Sequence, residues 1–269
     1  ILRSAAISAG CLAFDGRAIS RPGGKRLRFL LYNIRYAAGN GGRFHFPFPY
    51  AGYLRRSHDN FDKILEFIRS VQPDVMGLVE VDGGSFRTDQ MCQAEMIAEE
   101  LGYHHVIETK YGSGSMAKRL PLLRTQGNAV LTRDPIISRR FHYFDEGVKR
   151  LVIQVCTERL TVFLVHLSLT YRNRQYQLER LYRLIRQVDR PMILAGDFNV
   201  LWGMRELELF LGATGLVSAN PEKKPSHPSR APKRELDFIL HSPELKVTHF
   251  HIPDVTFSDH APLICDFSY

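Results

Sequence analysis

The run Met192-Ile193-Leu194-Ala195 is short, wholly apolar and stopped by Gly196, which reads as one buried strand. Beyond it, Asp197 and Asn199 are two residues apart and so fall on the same side of the chain. One is an anion that can hold a cation or take a proton, the other an amide that can donate to a phosphate oxygen. On its own such a string is an ordinary strand ending in a turn. The constraint comes from its recurrence. Leu27–Asn33, Asp74–Glu80, Asn128–Thr132, Leu151–Val155, Thr161–Leu167, Leu236–His241 and Pro262–Phe267 are further strand-like runs. Between them lie helical stripes: Phe61, Ile64, Leu65 and Ile68, then Ala94, Ile97, Ala98 and Leu101, then Leu181, Leu184, Ile185 and Val188. Ser57 is set to cap the first helix, Pro73 to stop it, and Gly102 to end the second in a left-handed turn. Strands alternating with helices predict an α/β fold (α+β in some schemes). No internal repeat or linker divides the chain, so residues 1–269 are expected to form one domain, with 1–25 an irregular N-terminal extension.

Composition narrows the classes. A formal charge of +8 and a pI near 9.4 suggest an anionic partner, nucleic acid or a phospholipid head group. Basic residues gather at Arg17–Arg28, Arg35–Arg56, Lys118–Arg124, Arg172–Arg190 and Lys223–Arg234. No stretch approaches the roughly 20 apolar residues of a membrane span. Ile1–Cys11 is mildly apolar and lacks a Met, as in a trimmed or secretory remnant, but is too short to assign. The four cysteines are scattered, so no dependence on disulfides is expected. There is no G-x-S-x-G elbow and no G-x-x-x-x-G-K-[ST] loop, which argues against a serine hydrolase and a nucleotide-driven motor or kinase. Two irregular segments stand out. Ala37–Tyr53 carries Phe44, Phe46, Phe48, Tyr50 and Tyr53, either a self-packed cover or a substrate- or lipid-contacting surface; Pro221–Pro232 reads as a surface loop.

The chemistry sits where strands end: Asn33, Glu80, His166, Asp197 with Asn199, Asp237, and Asp259 with His260. Singly, each has a plain reading. Asp82 rather than Glu80 is a candidate for the working acid, Asp237 for a surface partner of Arg234, and His166 for a satisfied core histidine. Together they describe a site, because ligands of α/β sheets bind beyond the carboxyl ends of the strands. Hard carboxylates without cysteine favour Mg²⁺, with Mn²⁺ the alternative. Two histidines and an amide beside that cation suit hydrolysis at phosphorus, where charge builds on oxygens that a cation and donors must meet.

In order along the chain, Leu31-Tyr32-Asn33, Gly77-Leu78-Val79-Glu80, Gly127-Asn128-Ala129-Val130-Leu131, Val165-His166-Leu167, Gly196-Asp197-Phe198-Asn199, Leu236-Asp237-Phe238-Ile239-Leu240 and Phe257-Ser258-Asp259-His260-Ala261-Pro262 resemble the endonuclease/exonuclease/phosphatase superfamily. That group includes DNase I-like nucleases, abasic-site endonucleases, neutral sphingomyelinases and inositol-polyphosphate 5-phosphatases. The resemblance implies a DNase I-like, four-layer α/β/β/α sandwich. It implies Glu80 as the principal metal ligand, with Asn33 and Asp259 near the same Mg²⁺. Asp197 would polarise the attacking water, His260 would sit beside the scissile phosphate, and Asp237 would accept the other N–H of His260. It leaves open which of Asp197 and His260 takes the proton. His166 matches a second histidine suited to protonating the leaving oxygen, and Asn128, Asn199 and Arg35 are assigned to substrate phosphate. The substrate expected first is nucleic acid, tracked by the arginine-rich helix and the Lys223–Arg234 loop. The alternative is a phospholipid, sphingomyelin or phosphoinositide reached by peripheral membrane contact of Phe44–Tyr50. A catalytically dead binding protein comes last, since no key residue is lost. A monomer is expected.

Overall fold

A computed structural model describes residues 26–39, 57–110, 123–147 and 149–268, and the aromatic Phe44–Tyr50 run lies outside them. The apolar runs are strands as the pattern requires: β1 (Arg26–Asn33), β2 (Val75–Asp82), β4 (Gln126–Thr132), β6 (Leu151–Cys156), β7 (Thr161–His166), β8 (Met192–Asp197), β10 (Asp237–His241) and β12 (Leu263–Ser268). The stripes are α1 (His58–Val71), α2 (Gln93–Leu101) and α3 (Tyr171–Ile185). Gly102 ends α2 at φ +68°, as its place in the sequence predicts. Ser57 stands at the start of α1 without capping it; its hydroxyl donates to the Arg87 carbonyl instead.

Four further strands and one helix complete the set: β3 (His104–Thr109), β5 (Ser138–Tyr143), β9 (Val217–Ser218), β11 (Lys246–His251) and α4 (Glu208–Thr214). The two sheets run β11-β12-β1-β2-β4-β3 and β5-β6-β7-β8-β10-β9. Every strand that the pattern fails to predict is therefore a sheet edge. Edge strands face water on more than one side and tolerate polar residues, which is why β11 reads Lys-Val-Thr-His-Phe-His.

The sheets pack face to face. Phe29, Leu31 and Phe267 of one meet Ile153, Leu164 and Ile239 of the other in a buried core. The opposite face of the first sheet (Leu30, Met76, Leu78) buries α1 and α2, and that of the second (Phe163, Leu194, Phe238) buries α3 and α4. The layers are α/β/β/α. The layering also repeats. In each sheet one strand runs parallel to the next across a helix, β1–α1–β2 and β7–α3–β8, followed by a helix and an antiparallel pair, α2–β3–β4 and α4–β9–β10. The sequence shows no such repeat; the two halves share topology but not residues.

Candidate functional site

The duplication explains how the site is assembled. At one edge of the first sheet lie Asn33, the last residue of β1, Glu80 near the end of β2, and Asn128 near the start of β4. The equivalent positions of the second sheet hold His166, the last residue of β7, Asp197, the last of β8, and Asp237, the first of β10. The sheets face one another, so the two trios converge.

Glu80 is aimed by its backbone. Its N–H donates to Asn128 Oδ1 at 3.2 Å. Lys110 Nζ lies 3.4 Å from Glu80 Oε1 and donates to the Tyr36 hydroxyl at 2.8 Å. Burial alone would raise the Glu80 pKa, but Lys110 and its neighbouring positive groups hold it at about 2. Burial pulls Lys110 down to about 8 against the opposing charge of Glu80.

Asp197 is placed by the glycine before it. Gly196 has φ +152°, and a Cβ there would lie 1.9 Å from the Val165 carbonyl oxygen of the neighbouring parallel strand, so no other residue fits. Asp197 Oδ1 accepts from the Asn199 N–H at 3.0 Å, and Oδ2 accepts from Asn33 Nδ2 at 3.3 Å. Oδ2 also lies 3.2 Å from His166 Nε2 and 3.9 Å from His260 Nε2. Burial opposes the Asp197 charge, yet these partners hold its pKa well below the usual carboxylate range. His166 is buried, and burial with the charges of Lys149 and Lys110 pushes it down to about 3.

The segment from Pro225 to Asp237 is more than the surface loop that its prolines predict. Ser226 and Ser229 are buried hooks: Ser226 Oγ donates to Asp237 Oδ2 at 2.5 Å, and Ser229 Oγ to the Ser258 carbonyl at 2.5 Å. The Ala261 N–H donates to the Ser226 carbonyl at 2.8 Å, pinning Asp259-His260 in place. His260 Nδ1 meets Asp237 Oδ2 at 2.7 Å, and the His227 ring stacks 4.6 Å from the His260 ring. Burial works against a charged His260, but Asp237, then Asp197 and Asp259, push its pKa up to about 10. Asp237 is therefore no surface partner of Arg234, and Asp82 is no rival of Glu80, being fully buried against Arg87.

One cavity of about 270 Å³ gathers Asn33, Glu80, Asp197, Asn199, Asp259 and His260, with Lys149, His227, Arg234, Leu169, Leu201 and Leu236 completing its wall. His166, Asn128, Arg35 and Asp237 stand behind that wall. Arg35, expected on substrate phosphate, turns its Nε to Asp259 Oδ2 at 3.4 Å and its Nη1 to the Gly39 carbonyl. Asn199 Nδ2 donates to the Leu167 carbonyl at 2.8 Å. Lys110, Lys149, Ser226 and His227 escape the sequence reading. Lys149 Nζ touches His166 Nε2 and lies in a connection with no apolar run, so nothing in the pattern marks it.

The donor set fits a hard divalent cation. Glu80 is a partly buried anion whose nearest cation stands at 3.4 Å, Asp259 and the Asn33 amide share its cavity, and no thiol is among them. Among the described residues, the carboxylate–histidine groups close enough to share one ion are Asp197, Asp237 and His260, and His227, Asp259 and His260; Glu80 is in neither.

Glu235, next to the cavity, gives a test of its own. Burial pushes its carboxyl up to about 7, against the Asn220 hydrogen bond and the charge of Lys223. The folded chain thus binds a proton that the unfolded one releases at about 4.3, so stability falls as pH rises from there through about 7. Glu235→Gln keeps the acceptor for Asn220 Nδ2 and is expected to raise Tm at about pH 8 but not near pH 4. Equal shifts in thermal melts at both pH values would sink this account.

The model of the Endonuclease/Exonuclease/phosphatase family matches residues 30–260. The chain belongs to that family. It is accordingly a phosphoester hydrolase in the broad sense that the family name covers. No protein with a curated description matches it significantly by sequence. Among solved structures, an endonuclease/exonuclease/phosphatase family protein of Bacteroides thetaiotaomicron is similar with a TM-score of 0.70 at 15% identity, over 92% of this chain and 99% of that one. A mannosyl-6-phosphatase of the same organism gives 0.67 at 16%, over 90% and 100%. The catalytic domain of human Nocturnin with bound sulfate gives 0.63 at 22%, over 90% and 94%. At such identities the likeness is one of fold.

Proposed function

We propose that this chain is a Mg²⁺-dependent phosphodiesterase of nuclease type, cleaving its ester by attack of water on phosphorus. The observation that carries the reading is the convergence on one cavity of an anion, Asp197, an imidazole flanked by carboxylates, His260, and a separate pair of oxygen ligands, Glu80 and Asp259. Asp197 takes the proton of the attacking water, its carboxylate oriented by Asn33, His166 and the Asn199 N–H. His260, held by Asp237 through Nδ1, turns Nε2 to the phosphoryl oxygens as a donor. Asn199 grips a phosphate oxygen at the cavity wall, and Lys149 and Arg234 meet the charge that grows on the leaving side. Held by Glu80, Asn33 and Asp259, Mg²⁺ (or Mn²⁺) would supply positive charge to the phosphoryl group. The exposed cations Arg172, Arg180, Arg230 and Lys233, with a net charge of +8, suit a polyanionic substrate.

Hydrolysis of bis-p-nitrophenyl phosphate with Mg²⁺, lost on adding EDTA, is the first test; absence of metal-dependent turnover would end the reading. Glu80→Gln replaces a hard anion by a neutral amide and should raise the Mg²⁺ concentration for half-maximal rate by at least tenfold, roughly the worth of one charged ligand contact. An unchanged Mg²⁺ requirement contradicts the ligand assignment. Plasmid DNA and short single strands are expected to outrank sphingomyelin vesicles and inositol phosphates as substrates.

A further inference from the structure

We propose that Tyr171 and Trp202 form a subsite that stacks a flat ring carried next to the scissile phosphate, which under the nuclease-type reading, on which this rests, is a nucleobase. Trp202 is 69% exposed and Tyr171 45%, although both are large apolar rings. They pack against each other with centroids 4.9 Å apart and planes tilted 38°, which leaves outer faces in water. Exposed apolar patches of this kind on a folded chain mark ligand surfaces.

The patch continues the cavity. Leu169 and Leu201, from the same two connections, are exposed and also line the wall that Asp197, Asn199 and His260 share. One connection leaves β7 just after His166, the other follows Asn199. A group joined to a phosphate in the cavity and lying over these leucines reaches the rings next.

The shelf is also built, not slack. Arg174 is buried at the foot of α3, where Nη1 donates to the carbonyls of Ser168 at 3.0 Å and Leu169 at 2.6 Å, while Nε donates to Glu206 Oε2 at 3.0 Å. Glu206 Oε1 accepts from the Trp202 N–H at 2.9 Å. A single buried ion pair therefore fixes both connections, and with them both rings. The Arg174 guanidinium lies 5.9 Å from the Tyr171 ring centre, which adds a cation–π contact.

The surroundings favour a base over an acyl chain. The exposed neighbours Arg172 and Arg205 bring positive charge to the rim, fit for the phosphates on either side of a stacked base. Among the described residues, the exposed apolar groups that run from the cavity wall to the shelf are two leucines and two rings, room for one flat group.

Trp202 is the only tryptophan in the chain, so its emission reports on the shelf alone. The full chain, without divalent metal, is titrated with dAMP, inorganic phosphate, deoxyribose 5-phosphate and phosphatidylserine vesicles. Saturable quenching by dAMP, absent with phosphate and the sugar phosphate, is expected. Tyr171→Ala should weaken that midpoint by about tenfold, and Trp202→Ala should raise KM for a dinucleotide by roughly ten- to a hundredfold with a smaller effect on kcat, the worth of one stacked base. Both side chains are exposed, and far-UV circular dichroism checks that the variants fold. No quenching by dAMP, equal quenching by deoxyribose 5-phosphate, or a response to vesicles alone overturns the subsite. Turnover of bis-p-nitrophenyl phosphate is measured in parallel. Turnover without nucleotide quenching overturns the subsite only; quenching without turnover supports the subsite and overturns the phosphodiesterase reading.

Discussion

Asp197→Asn is expected to lower kcat on bis-p-nitrophenyl phosphate by roughly 10²–10⁴-fold, the range for loss of a proton-transfer group, and to leave the chain folded. The substitution preserves shape and one hydrogen bond, since an amide oxygen at Oδ1 still accepts from the Asn199 N–H, now at 3.0 Å. It removes the anion, and it turns the 3.3 Å contact with Asn33 Nδ2 from donor–acceptor into donor–donor unless one amide rotates. A buried mismatch of that kind costs about 1–3 kcal/mol, which lowers Tm by some degrees without unfolding the chain. The rate loss is far larger than such a shift explains, so kinetics and thermal melts taken together separate the two effects. A kcat within tenfold of the unsubstituted chain would move the proton to another group. His260→Ala is a less clean comparison, because it also leaves Asp237 without the 2.7 Å partner that holds it.

What the sequence discloses follows from what each residue must satisfy. Interior strands are buried on both faces, so β8 has no choice but an apolar run, and the run Met192–Ala195 opens the strand Met192–Asp197. Edge strands answer to one buried neighbour at most, and β5, Ser-Arg-Arg-Phe-His-Tyr, has nothing periodic to read. The strand-end residues are legible for the same reason: a polar group that terminates an apolar run interrupts a pattern. Lys110 follows the polar edge strand β3, and Lys149 lies in the connection from β5 to β6, so neither ends an apolar run, although each touches a site residue. The duplication is hidden for another reason. Asn33 and His166, Glu80 and Asp197, Asn128 and Asp237 hold matching places in the two sheets but differ in type, because each half supplies different chemistry to one cavity.

Arg87→Met is expected to destabilise the fold by about 3–5 kcal/mol, because it strands a buried carboxylate. Asp82 has no exposure and Arg87 almost none. The guanidinium meets Asp82 Oδ2 through Nε at 2.9 Å and Nη2 at 2.7 Å, and Ser85 Oγ donates to the same oxygen at 2.6 Å. The other oxygen accepts the N–H groups of Gly84 at 3.1 Å and Ser85 at 2.9 Å. With the cation gone, those donors cannot offset the cost of a desolvated anion, and Tm should fall by roughly 10 °C for a chain of this size. The double variant Arg87→Met, Asp82→Asn removes both charges and should recover most of the loss, since a neutral amide keeps the turn's hydrogen bonds. Failure to recover would mean that Arg87 stabilises mainly through the Tyr36 ring, 4.8 Å below its guanidinium, and not through Asp82. The same pair decides between neighbouring acids. Asp82→Asn should lower Tm and leave the Mg²⁺ requirement unchanged, whereas Glu80→Gln should raise that requirement with little effect on Tm. A reversed pattern would make Asp82 the metal ligand and Glu80 the structural partner.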